Sequence, residues 1–189
     1  MGSLMLGRFA LASEPAEIDS DQDGLSDRLE LLFQTDIHNS DSDGDGYPDG
    51  VEVTNGYDPA SSSSRLLLKD IVVHTSTQRM EQRLNGVVIA THLVSTGTKS
   101  LPTPLGTFKI MSKNKRAWSR IGKLWMPYWM QITKTGVGIH ELPEWPNGKK
   151  EGADHLGKPA SHGCIRLGVG PAKAVYDWAP VGTTVKVVK

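Results

Sequence analysis

Ser161-His162-Gly163-Cys164-Ile165-Arg166-Leu167 places the only thiol of the chain behind a glycine and ahead of an apolar, strand-forming residue, with a histidine two positions before it and an arginine two positions after. A lone cysteine is most often a small buried hydrophobe. This one has neighbours suited to chemistry, because a histidine or arginine nearby can lower a thiol pKa whose free value is about 8.5. Gly163 lets a substrate carbonyl and the backbone approach closely, so the amides of Gly163 and Cys164 are candidate oxyanion-hole donors. A cysteine nucleophile also needs a base. His140, which ends the alternating segment 137–140, is the candidate. A zinc site is not expected, since His140, His162 and Cys164 would spend on the metal the groups that make thiolate chemistry coherent.

Outward from this heptad the catalytic half is a series of short β-rich runs. Residues 66–75, 86–95 and 106–112 read as strands, and Asn85-Gly86 marks the first two as a hairpin. Residues 125–133, 137–140 and 183–188 are further strand candidates. Only 170–178, carrying Ala172, Ala174, Val175 and Trp178, reads as helical. The balance predicts a mainly β sandwich or barrel. Pro143, Pro146, Gly148, Gly152, Gly157 and Pro159 predict a loop between His140 and Ser161. His38, His74, His92 and His155 read as ordinary residues. Trp118, Trp125, Trp129 and Trp145 read as core before sugar platforms, with a share of them lining the cleft.

The first sixty residues are different in kind. Asp19-Ser20-Asp21-Gln22-Asp23-Gly24 recurs as Asp41-Ser42-Asp43-Gly44-Asp45-Gly46, a tandem repeat offset by 22 residues. Set on a twelve-residue calcium loop, the first copy offers Asp19, Asp21, Asp23, the carbonyl of Leu25, Asp27 and Glu30 as metal ligands. The second offers Asp41, Asp43, Asp45, the carbonyl of Tyr47, Asp49 and Glu52. Five carboxylates within twelve residues repel one another unless a hard cation takes them. A solvated acidic linker would need no such spacing. Ser26 and Pro48 stand where paired EF-hands carry an apolar bridge, and no helix-forming segment leads into either loop. With little apolar sequence between the loops, residues 17–60 are expected to be ordered only with Ca2+ bound and to take no direct part in catalysis. The repeats resemble thrombospondin type 3 repeats, which implies a structural calcium module. Ser61-Ser62-Ser63-Ser64 follows and reads as a flexible linker.

Ser-His-Gly-Cys with a preceding Gly138-Ile139-His140 resembles the YkuD-type L,D-transpeptidase catalytic domain. Ile71-Val72-Val73, Ser76-Thr77-Gln78-Arg79, Val94-Ser95-Thr96-Gly97, Pro102-Thr103-Pro104 and Gly106-Thr107-Phe108 stand in the same order as in that family. The resemblance covers residues 65–189 and implies a mainly β fold, a mixed β-sandwich with one or two short helices, next to the small calcium-loop module. It implies a cysteine acyltransferase that attacks the carbonyl of the L-centre of a diamino acid in a peptidoglycan stem, expels D-alanine and passes the thioester to an amine. Carried over by position, Cys164 is the nucleophile and His140 the base, with a neighbouring backbone carbonyl orienting its ring. His162 and Gly163 complete the catalytic set, and Ser161 and Arg166 bind substrate. An L,D-carboxypeptidase on the same acyl-enzyme shares every residue, and a non-catalytic wall-binding module is the third reading.

Composition bounds the rest. Hydrophobic residues at 38% and charged residues at 22% of 189 are ordinary for a folded chain. The zero net charge hides a division, since residues 1–60 carry 14 acidic against two basic groups and residues 61–189 carry 19 basic against seven acidic. The basic excess is not gathered into runs interleaved with aromatics, so nucleic acid is not the expected partner and an anionic wall polymer suits it as well. With one cysteine no intrachain disulfide can form. No apolar run approaches the roughly 20 residues of a membrane span. The organisation expected is an N-terminal tail at 1–16, read as a signal remnant, repeats at 17–60, linker at 61–65 and catalytic domain at 66–189. A calcium-dependent monomer in the periplasm or cell envelope is expected from the substrate.

Overall fold

The computed structural model describes residues 17–189, so the tail read as a signal remnant lies outside the described residues. Nine strands form one sheet: β1 (Lys69–His74), β2 (Arg79–Leu84), β3 (Val87–Ser95), β4 (Gly106–Lys109), β5 (Ser112–Ser119), β6 (Leu124–Gln131), β7 (Gly138–Glu141), β8 (Ile165–Leu167) and β9 (Thr184–Val188). Their order is β4-β9-β1-β2-β3-β8-β7-β6-β5, with the β1–β9 and β7–β8 pairs parallel and the others antiparallel. β3 joins the two halves: it pairs with β2 from its start and with β8 only through Val94 and Ser95. The sheet curls there around a core of Ile71, Val73, Val94, Ile139, Ile165, Leu167, Val185 and Val187. Helix α3 (Pro171–Trp178) drives Ala172 and Val175 into that core.

Three strands were not anticipated: β8, which is only three residues long, β2 and β5. β2 lies between the two runs read as a hairpin, and the true hairpin is β2–β3, turning at Asn85 (φ 50°) and Gly86 (φ 86°) as a two-residue left-handed turn requires. Met80, Gln82 and Leu84 of β2 face inward while its charged residues face out. That is a period-two pattern hidden by its net polarity. β5 has almost no apolar residues, yet it pairs with β6 along its whole length. It is the last strand of the sheet, where charged residues are the usual guard against further pairing.

The acidic repeats form more structure than expected. Each loop runs straight into a helix, α1 (Asp27–Phe33) and α2 (Asp49–Asn55). Seven residues are too few for a helix to hold in water by itself. Both are held by burial: Leu25, Leu29, Phe33 and Val53 make a second apolar cluster with Leu67 and Leu84 of the catalytic half, flanked by Val87 and Ile89. A core therefore exists, but the catalytic half completes it with Leu67 ahead of β1, Leu84 of β2 and the flanking Val87 and Ile89 of β3. Lys69 fastens the same junction, because its ammonium donates to Asn55 O at 3.1 Å and Trp178 O at 3.2 Å, the last carbonyls of α2 and α3. Gly56 ends α2 with φ 91°, and a Cβ there would sit 2.4 Å from Lys69 Cε. The serine run is a closed turn rather than a flexible linker: Asp58 N donates to Arg65 O, the two side chains pair at 3.1 Å, and Tyr57 bridges to Leu66.

Candidate active site and calcium loops

β7 and β8 set the site. Their parallel register puts Ile139 beside Ile165 and His140 beside Arg166. Side chains alternate along a strand, so the two isoleucines enter the core while His140, Arg166 and Cys164 share the opposite face. These three, with Ser161 and His162, line a cleft of about 200 Å3 whose far wall is Ile121, Leu124 and Met126 of the β5–β6 hairpin. Gly138 is needed for this arrangement, since a Cβ there would lie 2.6 Å from the Trp129 indole. That indole packs beside the His140 ring, 5.8 Å between centroids.

His140 is 2% exposed. Its Nδ1 lies 2.5 Å from Glu141 O, and a carbonyl can only accept, so Nδ1 carries the proton and Nε2 offers the lone pair. Burial pulls the imidazole down to about 4, opposed by the Glu141 carbonyl and assisted by the Arg166 charge. Burial pushes the Cys164 thiol up, while a backbone hydrogen bond from Gly138 and the Arg166 charge pull it down. Both shifts run toward the neutral forms, imidazole and thiol.

The turn that carries the nucleophile is pinned from behind. Ser161 is fully buried, and its hydroxyl donates to Cys164 O at 2.5 Å and accepts from Gly163 N at 3.0 Å. The Gly163 amide is thereby taken, which corrects its assignment as an oxyanion-hole donor: its N–H points at Ser161 Oγ. Gly163 itself has φ 112°, a conformation suited to glycine. Arg166, assigned to substrate, has Nη1 clasped by both oxygens of Glu151 at 3.1 and 2.9 Å, so one edge of the guanidinium ties down the 142–160 loop. His162 is exposed. Sequence reasoning missed Glu151, Gln78 and Thr103. Buried Gln78 grips Thr96 through both its amide atoms, at 2.7 and 2.8 Å, and Thr96 O accepts from Ala160 and Ser161. The one sequence signal for Gln78 and Thr103 was their place inside the quoted segments, and Glu151 had none.

In the acidic loops Asp19, Asp21 and Asp23 bring carboxylate oxygens within 4.8 Å of one another, and Asp41, Asp43 and Asp45 do the same. Buried oxygens without partners are Asp21 Oδ2 and both Glu30 oxygens in the first loop, Asp43 Oδ2 and Glu52 Oε2 in the second. Burial, followed by the surrounding aspartates, raises Glu30 and Glu52 to about 7. Buried unpaired carboxylates converging on a triad of others fit a hard cation and little else. Asp27 and Asp49 differ from the assignment: Ser20 N and Oγ hold Asp27 at 2.8 and 2.9 Å, and Ser42 N and Oγ hold Asp49 at 3.0 and 2.6 Å. They close the loops. The side chain of Tyr47 is exposed and that of Leu25 lies in the apolar cluster, which leaves their assignment, made for the backbone carbonyls alone, untouched.

The L,D-transpeptidase catalytic domain profile, YkuD, matches residues 69–187. The chain belongs to the L,D-transpeptidase family. A bacterial TSP3 repeat matches residues 19–36 and 41–62, so this family member carries the calcium-type repeat at its N-terminal side. L,D-transpeptidase 1 of Mycobacterium tuberculosis is 29% identical over 149 residues, which is 72% of this chain and 55% of that protein. The chain thus spans little more than half the length of that curated relative. Among solved structures, an L,D-transpeptidase from Stackebrandtia nassauensis is 28% identical with TM-score 0.55, covering 64% of this chain and 55% of the other. The LD transpeptidase LdtMt1 in complex with imipenem is 26% identical with TM-score 0.59, covering 66% of this chain and 60% of the other.

Proposed function

We propose that the protein is an exported cysteine acyltransferase that makes a thioester between Cys164 and a peptidoglycan stem peptide and transfers it to an amine. The observation that carries this reading is the shared face of β7 and β8, which sets a neutral, carbonyl-anchored His140 and Cys164 in one cleft. His140 Nε2 takes the thiol proton as sulfur attacks the carbonyl of the L-centre. The tetrahedral oxyanion is met by the Cys164 amide. Collapse breaks the amide bond, and the imidazolium returns its proton to the departing D-alanine nitrogen. The acceptor amine then attacks the thioester, His140 takes its proton, and the thiol is restored. Because burial favours the neutral form of both groups, the reading has proton transfer accompany attack.

Calcium is the cation proposed for the two loops, held by Asp19, Asp21, Asp23, Leu25 O and Glu30 in one and by Asp41, Asp43, Asp45, Tyr47 O and Glu52 in the other. Bound there it supplies charge balance to the fold and no step of the reaction. Millimolar calcium and peptidoglycan both place the protein outside the cytoplasm. Mass spectrometry of the products from a purified disaccharide-tetrapeptide tests the function. A cross-linked dimer with loss of D-alanine is expected. Tripeptide alone would make the protein an L,D-carboxypeptidase, and unchanged substrate would leave a wall-binding module.

A further inference from the structure

The geometry points to Thr103 as a positioning residue that aims the oxyanion-hole donor, an inference that rests on the acyl-transfer reading above. Thr103 is 5% exposed and lies outside the catalytic cleft, behind the nucleophile's turn. Its hydroxyl makes two bonds of fixed sense. Gly97 N–H donates to Oγ1 at 2.8 Å, which leaves the single hydroxyl proton for Gly163 O at 2.9 Å. Gly97 is held in place for this, since a Cβ there would lie 2.2 Å from Leu101 O and 2.5 Å from Thr103 N.

The consequence follows from the planarity of the peptide bond. Gly163 C=O and Cys164 N–H belong to one trans unit and point in opposite directions. By drawing the carbonyl back toward the 97–103 segment, Thr103 turns the Cys164 N–H the other way, toward the side on which the Cys164 thiol and His140 line the cleft. Ser161 consumes the neighbouring Gly163 N–H, so the 163–164 plane is the one that serves the oxyanion. Gly163 has φ 112°, a region open to glycine, and with no Cβ to restrict its ψ, which turns the 163–164 plane, the external hydrogen bond from Thr103 fixes the orientation. Preorganised donors stabilise a transition state because they need no reorientation when charge develops.

The test compares two reactions of the same sulfur. Acylation by a carbapenem creates an oxyanion, whereas alkylation by iodoacetamide displaces iodide at a saturated carbon and creates none. Thr103→Val removes the hydroxyl at nearly constant volume, with Thr103→Ala as its substitute if the valine chain does not fold. Acylation should slow by about 10- to 100-fold, as for partial loss of one oxyanion donor, with the alkylation rate and its pH profile unchanged. Thr103→Ser should restore acylation to within about threefold of wild type. Equal acylation by wild type and Thr103→Val would overturn the inference, and so would an equal fall in both reactions, which would mark Thr103 as merely structural. A wild-type chain that is alkylated at Cys164 but never acylated would instead sink the acyl-transfer reading itself.

Discussion

The catalytic sheet and the acidic module bury charge in opposite ways. In the sheet, buried ionisable groups have partners, Glu141 with Lys150, Arg166 with Glu151 and His140 on the Glu141 carbonyl, and of the atoms of these groups Arg166 Nε is left unpaired. The curled sheet also closes a large apolar core of its own. In the module, Glu30 and Glu52 are buried with oxygens that have no partner, and the apolar cluster is completed only by Leu67 and Leu84 from the sheet. One region is held by its own core and its own ion pairs, and the other leans on a neighbour and leaves carboxylates that the proposed cation would take. The dependence runs through β2 and β3, and β3 ends beside Arg166 on β8. The module is thus built onto the catalytic domain, where the spacing of its carboxylates alone suggested an appendage.

Chelation should break the comparison most visibly. Removing calcium from the whole protein is expected to abolish amide protection in α1 and α2 while β7 and β8 keep theirs, read by hydrogen exchange with and without chelator. At free calcium about 100-fold above the dissociation constant, the cation contributes roughly 2.7 kcal/mol to the module by linkage. Protection of α1 that survives chelation would remove the distinction. Next in size is the borrowed core. Phe33→Ala should destabilise the module by about 3 kcal/mol and raise exchange around Leu84, with the Cys164 turn unaffected. A melting curve unchanged by Phe33→Ala would show that the docking seen at Leu84 carries no energy.

Acid should act with opposite sign on the two regions. Glu30 and Glu52 stand near 7 when folded against 4.5 when free, so without metal their contribution is present below pH 4.5 and is lost as pH rises through 7. Calcium competes with those protons, so its affinity should rise from pH 5 to pH 8 and binding should release protons, as calorimetry in buffers of different ionisation enthalpy reports. His140 stands near 4 against 6.5, so its contribution is present above pH 6.5 and is lost as pH falls toward 4. Calcium binding without proton release would contradict the buried glutamates. The smallest effect is internal to the module. Gln22 takes φ 64° where the second loop has Gly44 at φ 75°, so Gln22→Gly should raise the calcium-loaded melting temperature, by about 1 kcal/mol in stability. A lowered melting temperature would mean that the Gln22 side chain holds the loop.

The same contrast explains what could be read from the sequence. The sequence brought Cys164 and His140 forward as candidates because cysteine chemistry needs particular residue types next to glycines, and the acidic loops because their carboxylates recur at one spacing; the structure sets the first pair in one cleft and each acidic triad together. What escaped depends on partners distant in the chain. α1 and α2 carry too few apolar residues to declare themselves until Leu84 is seen to complete their cluster. β5 has no inward pattern because β6 and not the core sustains it. Thr103, Gln78 and Glu151 act through pairs of hydrogen bonds that reach Gly163, Thr96 and Arg166, residues 15 to 60 positions away, which no local spacing encodes. The Gly163 amide misled for a different reason: its partner Ser161 is only two residues away, but which way the amide points depends on the turn and not on the residue types.

The central claim is that one sulfur does the acyl chemistry, with His140 as its base and the calcium module only as support. Intact-protein mass after incubation with imipenem, on wild type, Cys164→Ala and His140→Ala, tests it most directly. Wild type should gain one carbapenem mass, Cys164→Ala should gain none, and His140→Ala should gain it about 10²- to 10⁴-fold more slowly. An adduct that forms on Cys164→Ala, or a His140→Ala chain that acylates at the wild-type rate, would contradict the account.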